Sequence, residues 1–312
     1  MCHLIYTDTF YMKRKWIRWV SWILLTPIIL FVILMVLLYV PPVQNLLRRE
    51  VTAYASKVTG MQIQVERIDL RFPLNLLVRG VEVIQQPDTL LSLESLNVRV
   101  QAWPLIKGKV EVDEVTLSRV AVNSADLMEG MKIKGVLGRF FLQSHGVDLS
   151  NELAVINQVE LSDTHMQLLM NDTTTTPKDT TASAPINWKV ALHQLKLKNV
   201  SFSMQLPADS MRMTAHIGEA AINNAQADLK NQYYDLKKFL LSGTSASYDT
   251  GTAQPTEGFD ASHIAVRDIR IALDSLLYKG RDMNAVIREF TMNERSGLSV
   301  TALTGRAYSN DS

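Results

Sequence analysis

The residue types that most often carry catalysis or hold metals are scattered in this chain. None of its six histidines forms a His-x-x-x-His pair, the spacing that places two zinc ligands on one helix face. The chain has no Gly-x-Ser-x-Gly motif for a nucleophilic serine and no glycine-rich loop that could cradle phosphate. Ser162, Asp163 and His165 have the residue types of a catalytic triad. Neighbouring strand residues point to opposite faces, however, so we interpret this segment as a surface turn. We predict that the chain is not an enzyme and holds no metal or cofactor.

The longest uncharged stretch, Trp19 to Val40, predicts a membrane-spanning helix. A helix of about 22 residues reaches roughly 33 Å, enough to cross a hydrocarbon core of about 30 Å. A cleaved signal peptide is the alternative, but its apolar core should be about 7 to 15 residues and end in small residues. We therefore favour an uncleaved anchor.

Charge on either side of this stretch predicts its orientation. Lys13, Arg14, Lys15 and Arg18 precede it, whereas no charge follows it until Arg48. The positive-inside rule then keeps residues 1–18, a basic leader, in the cytoplasm and places the bulk of the chain outside. The net charge of +1 gives no reason to expect a nucleic acid partner. The single cysteine, Cys2, falls on the cytoplasmic side, so the outer part has no disulfide.

Residues 43–59 predict an amphipathic helix. Apolar residues recur there at helical spacing, with Pro41 and Pro42 before them and Gly60 after them. Two interpretations remain open: a helix that caps the end of a sheet, and a helix that lies on a lipid surface.

After Gly60 the apolar period changes from helical to two, which predicts β-strands. Ile63 and Val65 alternate with polar residues, and then the phase slips by one before Ile68 and Leu70. A slip of one residue reverses the face on which side chains lie, so we predict a β-bulge near Glu66–Arg67.

The alternation returns as about fourteen short strands, the last ending near Leu303. Segments starting at Val112, Ile156, Leu192 and Ile264 share a strand–kink–strand unit, which indicates an array of similar hairpins. A Thr-rich loop at 171–185 separates a first β segment, 60–170, from a second, 186–312.

One later segment loses the alternation. At 223–241, Leu229, Tyr233, Leu236 and Phe239 suggest a short helix, and residues 242–260 suggest a loop. Such helices are too few to cover the apolar faces of so many strands. The strands must form either a two-sheet sandwich or a single gutter whose apolar inside is filled by ligand. Aromatic residues make up only 7% of the chain, and the alternation itself leaves both options open.

The order of these segments resembles the AsmA/TamB family of bacterial envelope proteins. The resemblance rests on the basic leader, one span, a helix ending in Thr-Gly, and the run from Met61 to Asn123 that follows. The segment WPLIKGKVEV, from Trp103 to Val112, is similar to the family's recurring unit of Pro-Leu-aliphatic and basic-Gly before a strand. Met128–Gly135 and Ser144–Ser150 look like the variant found in large TamB-like proteins of the Bacteroides group. The resemblance covers roughly residues 12–312 and only the N-terminal part of those very long relatives, so the second segment is expected to be truncated.

The resemblance implies a mainly β fold, in which a transmembrane helix and an amphipathic helix precede an elongated, curved antiparallel β-gutter of repeated hairpins. It also implies a single-pass protein of the bacterial inner membrane, with its bulk in the periplasm, that acts in outer-membrane biogenesis. In this reading the partners are the inner membrane and phospholipid acyl chains, which the gutter conducts between membranes. The alternative is a structural module that assists outer-membrane protein translocation and assembly by docking a barrel-assembly protein, without lipid transfer. The groove lining would include Ile63, Val65, Ile68, Leu70, Val81 and Val83.

Overall fold

The computed structural model describes residues 39–72, 74–106, 111–125, 127, 130–148, 151–171 and 187–309. The predicted leader, residues 19–38 of the predicted span and residues 172–185 of the Thr-rich segment lie outside this part of the chain. Over the described ranges, no helix is both long enough and apolar enough to cross a bilayer.

The first helix, α1 (Pro41–Thr59), confirms the helix predicted over 43–59 and begins two residues earlier. Pro41 and Pro42 occupy first-turn positions, where the amide hydrogen that proline lacks would have no intrahelical partner. Gly60 ends the helix with a left-handed φ of +69°, and its N–H donates to the Ser56 carbonyl at 3.0 Å.

Helix α1 lies along the outer edge of the first strand and contacts it with polar side chains. Gln44 Nε2 donates to the Leu70 carbonyl at 3.0 Å, and Arg48 Nη1 donates to the Glu66 carbonyl at 2.7 Å. Ser56 Oγ accepts from the Ile63 N–H at 3.0 Å. These contacts satisfy strand groups that would otherwise be open for pairing. The helix therefore adjoins the sheet, as the first of the two interpretations expected.

The strands at the start of the chain are short. They are β1 (Gln62–Arg71), β2 (Asn75–Gln85), β3 (Asp88–Val100) and β4 (Val112–Asn123), with a short helix α2 (Ala102–Ile106) between β3 and β4.

The next six strands are longer. They are β5 (Met131–Asp148), β6 (Leu153–Met170), β7 (Lys189–Leu206), β8 (Met211–Asp228), β9 (Tyr233–Asp249) and β10 (His263–Lys279). A 3₁₀ turn, Pro207–Asp209, joins β7 to β8. The last two strands are β11 (Asp282–Glu294) and β12 (Ser299–Ser309).

The twelve strands of the described residues form one mainly β, open sheet in simple sequence order. Neighbours pair in antiparallel fashion except β6 and β7, which are parallel, so the expectation of a wholly antiparallel sheet is wrong at that one junction. Leu153 pairs with Lys189 and Leu169 pairs with Gln205. The end of β6 at Met170 and the start of β7 at Lys189 therefore lie at opposite ends of this pair of strands. The strands before and after the Thr-rich segment thus belong to the same sheet.

No second sheet packs on this one within the described ranges, where the main contacts between elements join sheet neighbours, α1 and β1, or the 3₁₀ turn and β8. The sandwich is therefore not observed. The observed strands are fewer and longer than the predicted ones. The strand–kink–strand unit predicted from Ile156 onward, for example, lies within the single strand β6.

The predicted helix within 223–241 is wrong, because Tyr233–Asp249 is strand β9. The loop predicted over 242–260 is correspondingly wrong for residues 242–249. The apolar residues of β9 change phase twice along the strand. This leaves Tyr233, Leu236 and Phe239 three residues apart, a spacing that imitates a helix.

Candidate functional site

The pairing register places an apolar side chain from every strand in one line across the sheet. Directly paired residues lie on the same face, so a chain of pairs traces that face from β1 to β12. The line reads Ile68, Val78, Leu96, Leu117, Phe140, Leu161, Leu197, Ala220, Leu241, Ile271, Phe290 and Leu303. We call the surface that carries this line the apolar face.

Three further lines of pairs run beside the first on the same face. One begins with Leu70 and Leu76 and reaches Leu273 and Ile287 on β10 and β11. The other two begin with the pairs Val65–Val81 and Ile63–Val83. From the β1 edge as far as β9, the line that begins with Ile63 consists of Ile63, Val83, Leu91, Val122, Gly135, Met166, Phe202, Ala215 and Ala246.

The six residues predicted to line a groove all lie on the apolar face, where they start these four lines at the β1–β2 end. Ile68 is buried and the other five are half-buried. Further along, Phe202 of β7 is 41% exposed. No element packs over the apolar face in the described part of the chain, which leaves a broad surface of half-buried aliphatic side chains.

A line of kinks crosses the sheet and keeps the apolar residues on one face. Gly80, Arg119, Asp163, Asn199 and Asp268 have left-handed φ between +47° and +59°. By register, Gly80 lies opposite Glu66, and Arg119 lies in line with Asp163 through β5. From β2 to β9 these kinks shift the alternation by one residue on adjacent strands together, whereas at Asp268 the register of β10 shifts against both β9 and β11.

This explains the phase slip seen near Glu66. The predicted bulge is wrong, because β1 and β2 have equal numbers of residues between the pairs Val65–Val81 and Arg67–Arg79. The slip comes instead from the left-handed Gly80 on the partner strand. A Cβ at Gly80 would lie 2.7 Å from the Glu66 Cβ, so the two strands approach closely at this point.

Glycines also face the kinks on the longer strands. A Cβ at Gly138 would lie 2.9 Å from the Asp163 carbonyl oxygen, and one at Gly218 would lie 2.7 Å from the Gly243 carbonyl oxygen. Gly243 itself has a φ of +58°. Only glycine fits beside these left-handed residues without displacing the neighbouring main chain.

A second line of kinks crosses only the longer strands. Asn224 of β8 has a φ of +57°, and the β5–β6 register shifts on both sides of Ser144. On β8 the apolar residues then change phase from Ala220 and Ile222 to Ala225 and Ala227. The strand-kink-strand unit predicted from the sequence is thus present, and the longer strands contain two kinks.

The opposite surface, the polar face, carries charged and amide side chains. One line of direct pairs on it runs from Arg71 through Asn75, Arg99, Glu114, Gln143, Gln158, Gln194 and Asn223 to Lys238. Arg99 forms an ion pair with Glu114 at 3.2 Å. Such half-exposed pairs contribute about 0–1 kcal/mol each, so this face is adapted to water rather than built for stability.

The candidate triad lies at a kink of the sheet. Ser162–His165 is not a turn but the kink of β6, where Asp163 takes the left-handed φ of +51° and the buried Thr164 and exposed His165 point to opposite faces. Ser201 Oγ lies 3.0 Å from His216 Nδ1, but on the open polar face. Nowhere in the described ranges do three His, Cys, Asp or Glu side chains gather closely enough to hold a metal ion.

The connection between β9 and β10 is held by one carboxylate. Asp260 accepts the N–H groups of Thr256 at 3.1 Å and Ser262 at 2.9 Å, and its Oδ2 lies 3.1 Å from His263 Nδ1. These donors, Thr256 first, lower the pKa of Asp260 to about 2. The carboxylate thus organises the loop between β9 and β10.

Comparison with protein-family models and with curated proteins finds no match to the chain. The apolar face and the helix beside it are therefore the features from which a function can be inferred.

Proposed function

We propose that the chain is an inner-membrane-anchored periplasmic protein of outer-membrane biogenesis, which conducts phospholipid between membranes along its apolar face. In this proposal the sheet curls into a gutter with that face inside, and the uncharged stretch Trp19–Val40 anchors it in the membrane. The resemblance to the AsmA/TamB family supplies the cellular setting.

The observation that carries the proposal is the unbroken line of apolar side chains from Ile68 to Leu303 on a sheet with no second layer in its described part. An ordinary sheet buries such a face against a helix or another sheet. Here the aliphatic side chains are left half-buried, and acyl chains are a ligand that could cover them without hydrogen bonding.

Energetics support a conduit of this kind. Exposing acyl chains to water costs about 0.8 kcal/mol per CH₂, which makes free passage of a phospholipid through water very slow. Neighbouring strands lie about 4.8 Å apart, so twelve strands provide an apolar path of about 50 Å. Because the lines of apolar pairs run across the strands, a chain could move along them while remaining in contact with aliphatic groups. No catalytic group is needed.

A second candidate is a module that assists outer-membrane protein assembly without carrying lipid. In the described residues the sheet is open and α1 covers the edge of β1, so a partner strand would have to pair at the β12 edge. An open strand edge can accept a strand from a partner protein. In this candidate the apolar face would be covered by protein.

The test is to purify the full-length protein and measure bound phospholipid by solvent extraction and mass spectrometry. We expect abundant phospholipid, which Val65→Asp, Ile68→Asp, Val83→Asp and Leu161→Asp each reduce severalfold by placing a charge on the apolar face. Gln64→Asp and Ser162→Asp are matched controls, because these neighbours lie on the polar face, and they should retain the lipid.

A second measurement does not require the aspartate variants to fold. A photo-crosslinking residue in place of Val65 should attach to phospholipid in the native protein, whereas one in place of Gln64 should not. A folded protein that carries no phospholipid and yields no lipid adduct at either position would reject the conduit and favour the assembly module.

A further inference from the structure

The apolar side of helix α1 does not face the sheet. Gln44, Arg48 and Ser56 face β1, as their hydrogen bonds show. At 100° per residue, all the large apolar residues except Leu46 fall on an adjacent flank of the helix, about a quarter to a third of a turn away. This flank, which we call the apolar flank, consists of Val43, Leu47, Val51, Tyr54 and Val58. Leu46, which is 59% exposed, lies on the side of the helix turned away from the sheet.

The apolar flank is open to solvent in the described part of the chain. Tyr54 is 71% exposed and Val58 is 65% exposed, and Leu47 and Val51 are exposed as well. The opposite flank carries Arg49 and the small Ala53, both exposed. An exposed cluster of large apolar residues beside a charged flank is typical of a helix at a lipid interface.

Stereochemistry decides which face of the sheet the apolar flank borders. The helix runs antiparallel to β1, because Gln44 meets Leu70 while Ser56 meets Ile63. Ile63 and Leu70 turn main-chain groups toward the helix, and the side chains of both residues lie on the apolar face. For L-residues and a right-handed helix, this arrangement puts the apolar flank on the side of the apolar face, and Arg49 and Ala53 on the side of the polar face. Helix and sheet thus share one apolar surface.

We infer that the apolar flank lies in the outer surface of the membrane and joins it to the apolar face, so that acyl chains can pass from bilayer to sheet without crossing water. This inference rests on the proposed function, from which it takes the membrane anchor. The occupant is a lipid bilayer because the uncharged stretch ends at Val40, immediately before Pro41 begins the helix. Tyr54 fits the headgroup level, where tyrosine is enriched.

Two aromatic residues, Tyr39 and Phe72, also lie close to the predicted membrane surface, at the start of the helix. Phe72 follows β1 in the alternation of Ile68 and Leu70, and its ring centroid lies 6.5 Å from that of Tyr39. Both residues adjoin the end of the predicted span, at the place where an interfacial aromatic cluster would be expected.

The test uses the full chain with Cys2→Ser and one new cysteine at a time, labelled with an environment-sensitive fluorophore. The protein is reconstituted in vesicles of phosphatidylethanolamine and phosphatidylglycerol. Labels at Leu47→Cys, Tyr54→Cys and Val58→Cys should emit at shorter wavelength and lose intensity when brominated phospholipid is included. Labels at the matched positions, Arg49→Cys and Ala53→Cys, should do neither.

Equal, water-like emission at all five positions would overturn the inference. A shift at the apolar flank that rises with protein concentration but resists brominated lipid would also overturn it, by identifying a second copy of the chain as the occupant. Phospholipid bound to the same purified proteins, measured before they are reconstituted, separates this inference from the proposed function. Retained phospholipid without quenching at the flank rejects only the inference, whereas quenching without bound phospholipid rejects only the conduit.

Discussion

Strands β1–β4 contain 10 to 13 residues each, whereas β5–β10 contain 17 or 18. We call these the narrow and the broad region. The narrow region is crossed by one line of kinks, marked by Gly80 and Arg119, and the broad region by that line and a second, marked by Asn224. We call the stretch between two kinks, or between a kink and the end of the strand, a run. Runs are short in both regions. On β1 one run covers Arg67–Arg71, and on β8 one covers Glu219–Asn223.

The difference indicates that the run, rather than the strand, is the repeating unit. Strands in globular proteins are usually 3–10 residues long, and each run stays within that range. A broad-region strand is a narrow-region strand with a third run added. Because each kink exchanges inward and outward positions, the sequence must change phase at the same place. From β2 to β9 the apolar face is kept because neighbouring strands kink together.

The largest expected effect comes from filling the space at the shared line of kinks. Gly218→Ala in the broad region and Gly80→Ala in the narrow region should each lower the free energy of unfolding by about 1–3 kcal/mol. The added Cβ meets the Gly243 carbonyl in the first case and the Glu66 side chain in the second. Urea unfolding of the full-length protein followed by circular dichroism measures both.

Gly258→Ala is the control for these variants. Gly258 also has a left-handed φ, +81°, but a Cβ there would meet nothing within 4 Å. Its cost should be limited to about 1 kcal/mol of backbone strain. If Gly218→Ala were no more costly than Gly258→Ala, close approach of the strands at the shared kinks would not be a requirement of the fold.

The second line of kinks predicts an intermediate effect confined to the broad region. Asn224→Val should destabilise the protein by about 1–2 kcal/mol, because a β-branched residue does not tolerate the left-handed conformation at this position. Asn224→Gly should be neutral within about 0.5 kcal/mol. The adjacent Asn223, which has ordinary strand geometry, supplies the control Asn223→Val, with a smaller loss expected. Equal stability of the two valine variants would show that the broad strands do not need their second kink.

The smallest effect concerns the loop between β9 and β10, in the broad region. The pKa of Asp260 is lowered from 3.8 to about 2, so its contribution to stability is complete above about pH 4. That contribution is lost as the pH falls through 2, where the folded-state carboxylate becomes protonated. Asp260→Asn should therefore flatten the dependence of the melting temperature on pH between 4 and 2. Asp268→Asn, at an exposed carboxylate on β10, is the control, and a similar flattening there would assign the effect to general charge repulsion.

Much of the local structure followed from the sequence. The bounds of α1 follow from two prolines and a glycine, and the six residues predicted to line a groove fell on one face because alternation fixes the face of each side chain. The phase slip near Glu66 was also visible, although its cause was not, since Gly80 lies on another strand. Strand β9 was missed because its two kinks broke the alternation into runs too short to recognise.

Tertiary structure decided what the alternation could not. A strand's period records which side is apolar but not which strand will lie beside it, so the single open sheet, the parallel β6–β7 pair and the aligned kinks emerge only from pairing between distant segments. The same holds for α1. Its sequence determined an apolar flank, but only the hydrogen bonds of Gln44, Arg48 and Ser56 to β1 placed this flank beside the apolar face, where nothing covers it in the described part of the chain. Hydrophobicity determines that a surface must be removed from water, whereas the geometry of main-chain hydrogen bonds determines which surface remains to be covered.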